Sequence, residues 1–210
     1  MALFSYVLDH DFGFAPNPFQ GVCTLATCKP QIRERADVGD IIVGTGCKKR
    51  NRQGRLVYFM EVAEVTTYDD YWRDPRFARK RPSLLGATAR AFGDNIYHRP
   101  EDGGWRQANS FHSLADGSPN PLNLRQDTSS EKVLIGGEFA YWGGDGPDIP
   151  AEFRDWSGDT ILSGRGYRRH FADGLAEAFL GWVRGLGGRG IIGEPADWAG
   201  MRAGVGRDDA

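Results

Sequence analysis

The chain has 210 residues, with 26 Lys and Arg against 28 Asp and Glu for a net charge of −2. It therefore has no overall attraction to phosphate backbones, and any nucleic-acid contact must come from a local basic patch. No apolar run approaches the ~20 residues of a membrane span, and the first segment meets Asp9 too early for a signal peptide, so a soluble, cytoplasmic protein is expected. Cys23, Cys28 and Cys47 contain no Cys-x-x-Cys pair, which argues against a disulfide framework and makes a zinc site with a histidine a poor fit; buried small hydrophobes are the simpler reading, and neither a metal nor a cofactor is expected.

With 29 glycines and 11 prolines, the composition favours short strands and many turns over long helices. Residues 3–8 place Phe4, Tyr6 and Leu8 in alternation, a first strand that stops at Asp9-His10-Asp11. Residues 12–21 combine prolines, glycines and aromatics in a bent loop suited to lining a pocket. A short strand over 23–28 precedes Pro30, which fits the first turn of a helix running through Ile32, Arg33 and Ala36. Gly39-Asp40 then opens an apolar strand to Gly44-Thr45-Gly46, and a second strand follows with Leu56, Tyr58, Met60, Val62 and Val65 apolar; the pair reads as a hairpin. Its tip carries Lys48, Lys49, Arg50 and Arg52. Solvated charge is the ordinary role of such a run, and phosphate contact is the functional one.

Thr67 is a cap for a short helix. A second basic run follows at 76–81, including Arg76 and Arg79. Residues 94–98 and 104–107 predict two short strands around a Gly-rich turn, and 112–128 has no sustained period and reads as a long ordered loop. Residues 133–135 and 139–142 predict the last strand or strand pair. Beyond Pro150, Leu175, Phe179, Trp182, Val183 and Leu186 mark one face of a helix over 171–186, and the Gly-rich tail after Pro195 is expected to fray.

Several of these stretches together resemble the nucleotide modification associated domain 2 family over residues 3–150. They are 9–19 (Asp-His-Asp-Phe-Gly-Phe-Ala-Pro-Asn-Pro-Phe), 23–30 (Cys-Thr-Leu-Ala-Thr-Cys-Lys-Pro), Gly39-Asp40 with Gly44-Thr45-Gly46, 94–98 (Asp-Asn-Ile-Tyr-His), and 112–124 (His-Ser-Leu-Ala-Asp-Gly-Ser-Pro-Asn-Pro-Leu-Asn-Leu). That family is grouped by association with phage and bacterial DNA-modification systems, so the resemblance implies nucleotide or modified-base biology without fixing a reaction. The Gly39-Asp40 hairpin followed by Tyr68-Asp69 is also similar to PUA-like barrels of the EVE and ASCH type. The expected fold is accordingly α+β: a PUA-like bent antiparallel β-barrel or half-barrel over 1–150, with short flanking helices and a C-terminal amphipathic helix over 151–210 packed on the same domain.

In a closed barrel the ends of different strands meet at one rim, so His10, Asp94 and His112 are the candidate catalytic group. His10 lies between two carboxylates that favour its imidazolium, Asp94 is a proton acceptor or ribose ligand, and His112 is a general base or phosphate ligand. Each has a structural alternative: a strand-end ion pair, a turn former, and a capping or core histidine. Asp9, Phe14, Asn17, Phe19, Thr45, Asn95, Tyr97, Ser113 and Asn120 are the candidate ligand contacts, and Phe14, Phe19, Tyr71, Trp72, Tyr97, Trp105 and Trp142 the candidate stacking wall. Lys48, Lys49, Arg50, Arg52, Arg76 and Arg79 are the candidate phosphate contacts. No Walker loop, dinucleotide fingerprint, His-Glu-x-x-His or Gly-x-Ser-x-Gly motif is present. The expected function is recognition of a modified base or nucleotide in a pocket at the barrel rim. The alternatives are an enzyme that alters a nucleotide by His/Asp acid-base chemistry, and an interaction subunit that meets a protein partner through the C-terminal helix.

Overall fold

A computed structural model describes residues 1–199. In chain order the elements are β1 (Leu3–Leu8), β2 (Cys23–Leu25), α1 (Pro30–Arg35), β3 (Ile41–Gly46), β4 (Leu56–Thr67), α2 (Tyr68–Arg73), α3 (Thr88–Ala91), β5 (Tyr97–His98), β6 (Arg106–Gln107), α4 (Pro121–Asp127), β7 (Lys132–Tyr141), α5 (Ala151–Arg154), β8 (Tyr167–Arg168), α6 (Leu175–Gly185) and β9 (Gly190–Ile191). The fold is mixed α+β around a mostly antiparallel sheet in the order β2-β7-β4-β3-β1-β8, with β9 added to β7 and with β5 and β6 forming a separate pair. No helix among the described residues is long and apolar enough to cross a membrane.

The hairpin forms as the pattern predicts, with Ile41 opposite Glu61 and Gly44 opposite Tyr58. Its entry depends on Gly39, whose φ of +87° is a region that side chains disfavour. The Asp40 carboxylate then accepts the backbone N–H groups of Ala2 and Asp37, which ties the corner to the start of β1. At Gly44 a Cβ would meet the Tyr58 ring at 2.4 Å, so only glycine lets that ring reach the Tyr6 hydroxyl, 3.0 Å away.

The expected barrel does not close. β1 runs parallel to β3, and the sheet ends at β2 on one side and at β8 on the other. These edges are only three and two residues long, too short to bridge the two ends of the path. Both faces of the sheet are covered instead. On one face Phe4, Tyr6, Leu8 and Met60 pack with Ile32 and Ala36 from and beside α1. On the other, Leu3, Ile41, Val43 and Phe59 pack with Leu175, Phe179, Leu180 and Val183 of α6. Double coverage is why β3 is a continuous buried run rather than an alternating one. The apolar stripe of α6 thus lies against the sheet, and a protein partner would have to meet the helix by its remaining surface.

A third cluster joins the loop after β1 to the long insertion between β4 and β7: Phe14 and Ala26 pack with Tyr68, Tyr71, Phe77, Phe92, Ile96 and Tyr97. Two sequence expectations change in this region. The stretch 112–128 is not all loop, because Asn120 caps the N–H groups of Leu122 and Asn123, Pro121 occupies the first turn, and α4 follows. The tail after Pro195 is held where it is described: Ala196 and Asp197 bond Asp11, and the Trp198 indole donates to the Phe12 carbonyl. Its continuation from 200 to 210 lies outside the described residues.

One buried cation ties these layers together. Arg33 is fully buried, and its guanidinium donates to the carbonyls of Cys28, Ser130, Lys132 and Asp127 while lying over the Tyr68 ring. Four carbonyls from two distant segments converge on one planar fork. A lysine keeps the charge but cannot span them, so Arg33→Lys is expected to lower the unfolding free energy by roughly 3 kcal/mol or more, read from the urea midpoint at unchanged slope.

Candidate functional site

The chain turns sharply between β2 and α1, and Cys28 and Lys29 both take left-handed backbone angles, φ +57° and +41°. Two consecutive non-glycine residues in that region are unusual and need outside support. Asp127 and Arg33 supply it: Oδ1 of Asp127 accepts the Cys28 N–H at 2.8 Å, and Nε of Arg33 donates to the Cys28 carbonyl at 3.0 Å. The backbone of Cys28 is therefore gripped on both sides, which leaves its thiol held at a defined point.

That point faces a histidine. Sγ of Cys28 lies 3.6 Å from Nε2 of His112, and Nδ1 of His112 lies 2.9 Å from Oδ2 of Asp127. The Tyr97 hydroxyl donates to the same carboxylate oxygen at 2.9 Å, so Asp127 is oriented from three directions. Thiol, imidazole and carboxylate are thus in series, with the carboxylate at one ring nitrogen and the sulfur at the other. Burial works against a proton on His112, yet the sulfur of Cys28 and the carboxylate of Asp127 hold its imidazolium up to about 10. Cys28 and His112 are half-buried, whereas Asp127 is fully enclosed.

A strip of rings leads away from this group. Phe14 lies 4.7 Å from the His112 ring and 5.5 Å from Phe111. Phe111 lies 4.7 Å from Phe12, which stacks on His10 at 5.8 Å. His10 is exposed, with Arg50 at 2.9 Å and Asp197 at 3.9 Å. His10 and His112 thus occupy the two ends of one aromatic strip. Asp94 belongs to a different arrangement. It is fully buried, accepts from Thr24 and Tyr71, and reaches the buried Lys80 through the Thr24 hydroxyl. Burial pushes the Asp94 carboxyl up and the Lys80 ammonium down, each toward its neutral form, while the charge of the other works in the opposite direction.

The candidate ligand contacts divide in the same way. Phe14 and Tyr97 stand at the His112–Asp127 end of the strip. Asn17 is buried with Lys80, Asn95 donates to the carbonyls of Tyr71 and Phe77, and Thr45 donates to the carbonyl of Tyr6. Ser113 accepts from the Ser110 N–H and Asn120 caps α4, both holding the segment that carries His112. Phe19 stacks on Trp198, and Asp9 is exposed, with its carbonyl accepting the Cys47 thiol. Of the other rings, Tyr71 serves Asp94, Trp72 stacks on His98, Trp105 lies under Arg99, and Trp142 packs beneath α6. Among the basic residues, Arg52 pairs with Asp197, and Arg76 with Glu64 and Asp74. Lys48, Lys49 and Arg79 are exposed and form no ion pair among the described residues.

The residues that pattern reading passed over are Cys28, Asp127, Phe12 and Phe111. Cys28 looks like one of three small hydrophobes, but it alone is half-buried while Cys23 and Cys47 are enclosed. The signals available were the strand–Cys-Lys-Pro–helix order and the Asn-Pro start of α4, which places Asp127 at that helix's last turn. The three thiols do not gather, and among the described residues the group with metal-ligand spacing is Cys28, His112 and Asp127, whose ligand atoms lie within 4.8 Å of one another.

A held thiol in series with an imidazole and a carboxylate, beside an aromatic strip on an open α+β sheet, makes up the candidate site of this α+β domain. The chain belongs to the nucleotide modification associated domain 2 family, whose model matches residues 1–202. The match runs past residue 150 and takes in α6 and the segment that bonds Asp11. No curated protein and no solved structure matches the chain.

His112 links its protonation to stability with a definite sign. Its folded value is raised from 6.5 to about 10, so the stabilisation is fully present below pH 6.5 and is lost as pH rises toward about 10. The stability advantage of the wild type over His112→Gln, measured by urea unfolding across this range, should therefore shrink with rising pH; an advantage that grows would contradict the assignment.

Proposed function

We propose that the chain binds a nucleotide or a modified base on the strip between His112 and His10, in the nucleotide-modification setting that its family name suggests. The observation that carries this reading is the unbroken ring series His112, Phe14, Phe111, Phe12 and His10. Phe111 and Phe12 are half-buried. Phe92 backs both of them, at 5.2 Å from Phe12 and 5.4 Å from Phe111, and the area they leave exposed is what a base would stack on, for ~1–3 kcal/mol per base whatever its sequence identity. The histidines and Asp9 at the ends supply the polar groups that fix a base or sugar.

Phosphates have cations close by. Lys48, Lys49 and Arg50 sit at the hairpin tip beside His10, and Lys29 follows Cys28 directly, its ammonium over the Tyr6 ring. A shallow cleft of about 480 Å³ between α1 and β8 is lined by Arg35, Tyr167, Arg168, Arg169 and His170, with no carboxylate among them. Arg76, Arg52 and, in the cleft, Arg168 are held by carboxylates, so Lys48, Lys49 and Arg50 at the hairpin tip are better phosphate contacts than Arg76. The Gly39-Asp40 corner and its hairpin are what support a PUA-like reading of the sheet.

The strip is tested by titrating single-stranded oligonucleotides and free nucleotides against the chain and following fluorescence anisotropy or ligand NMR shifts. Phe111→Ala and Phe12→Ala should each weaken binding by about tenfold, the loss of one stacked base. Lys48→Ala and Lys49→Ala should weaken all sequences alike and reduce the salt dependence. Undiminished affinity in both phenylalanine variants would place the ligand elsewhere.

A further inference from the structure

We propose that Cys28 is a covalent nucleophile, with His112 as its proton carrier and Asp127 as the residue that positions that histidine. The inference goes beyond ligand binding to a reaction, and it rests on the nucleotide-binding reading only for the identity of the substrate.

Four observations favour a reactive thiol over a structural one. Cys28 is half-buried where Cys23 and Cys47 are enclosed. Its left-handed backbone is held by two side chains, Asp127 on the N–H and Arg33 on the carbonyl; a sterically unfavourable conformation held in this way is characteristic of functional positions. The sulfur faces one nitrogen of an imidazole whose other nitrogen is engaged by a carboxylate, the geometry that sets a base for a nucleophile. The 3.6 Å separation places that imidazole directly beside the sulfur, the kind of neighbourhood in which thiols become nucleophilic.

The same three residues lie close enough for a metal, but their orientation argues otherwise. Cys28 faces Nε2 while Asp127 engages Nδ1, on the opposite side of the ring. Asp127 is also filled: Oδ1 takes the Cys28 N–H, and Oδ2 takes His112 and the Tyr97 hydroxyl. An ion at the sulfur would therefore gain Cys28 and His112 but not the carboxylate, fewer protein ligands than structural or catalytic zinc uses.

The chemistry follows from the order of the groups. The attacking form is the pair of thiolate and imidazolium, in which the proton sits on Nε2 of His112. The thiolate attacks an sp² carbon bearing an amine or alkoxide substituent, of the amide, ester or amidine kind that substituents on a nucleobase or nucleotide provide. A C–S bond forms, the bond to the leaving group breaks, and the leaving group departs with that electron pair and takes the Nε2 proton. Water then attacks the same carbon and gives a proton to Nε2. The C–S bond breaks, its electron pair returns to sulfur, and the resting pair is restored. The net change is hydrolysis of one C–N or C–O bond, with water as co-reactant. Asp127 stays ionised throughout and holds the ring in place.

The test needs no knowledge of the substrate. The full chain is treated with iodoacetamide at neutral pH, with and without prior EDTA, and adducts are located by peptide mass mapping. In the wild type, Cys28 should be alkylated roughly tenfold or more faster than the same cysteine in an unfolded peptide, with Cys23 and Cys47 silent. His112→Gln should remove that advantage, and Asp127→Asn should reduce it, with folding of each checked by circular dichroism. A wild-type Cys28 no faster than the peptide overturns the proposal, whatever the variants do. Fast reaction only after EDTA marks a metal ligand and overturns it as well. Nucleotide binding that persists beside an unreactive Cys28 would leave the binding reading standing and remove the covalent one.

Discussion

The fold depends on a cation with no carboxylate partner. Arg33, on a helix of six residues, is wholly buried and satisfied by four backbone carbonyls, one from the turn at Cys28 and three from 127–132. Burying a guanidinium is costly, and removing its acceptors or the donor itself would strand charged or polar groups away from water. The arrangement therefore has no cheap alternative. The turn after β2, the end of α4 and the start of β7 must occupy their places together.

The site follows from this constraint. Asp127 uses its carbonyl to receive Arg33 and its carboxylate to hold the Cys28 N–H, His112 and Tyr97. The residue that secures the fold thus also aligns the thiol and the imidazole. Such dual use explains how a long, irregular insertion, with two-residue strands and short helices, keeps these groups in fixed positions. Phe14 adds a wall from the opposite direction, carried by the loop after β1 and pressed on His112. The second buried network, Lys80 with Asn17, Thr24 and Asp94, anchors that same loop from beneath. Asp94 therefore contributes by fixing the strip's support.

Charge is distributed unevenly over the surface. In the insertion Arg76 pairs with Glu64 and Asp74, Arg99 with Asp69 and Glu131, and Arg106 with Asp102. Three consecutive cations, Lys48, Lys49 and Arg50, stand exposed at the hairpin tip. In a chain with a slight negative charge, such a local cluster is where phosphates would be met.

Local pattern was sufficient for β1, the β3–β4 hairpin, α1, the Thr67 cap and α6, because each is written in contiguous residues: alternation, a Gly-Asp corner, a proline at the first turn, or an apolar stripe. It also brought the two histidines at the ends of the strip into consideration, since exposed polar residues in aromatic loops stand out. It did not reveal α4, whose two turns are too short to display a period, or the open sheet, since strand order depends on pairings more than a hundred residues apart. Nor did it distinguish Cys28 from its two counterparts. The thiol acquires its meaning from His112 and Asp127, 84 and 99 positions away, and no spacing along a chain encodes contact at that separation. Secondary structure was legible because it arises from neighbours; the reactive grouping was not, because it arises from packing.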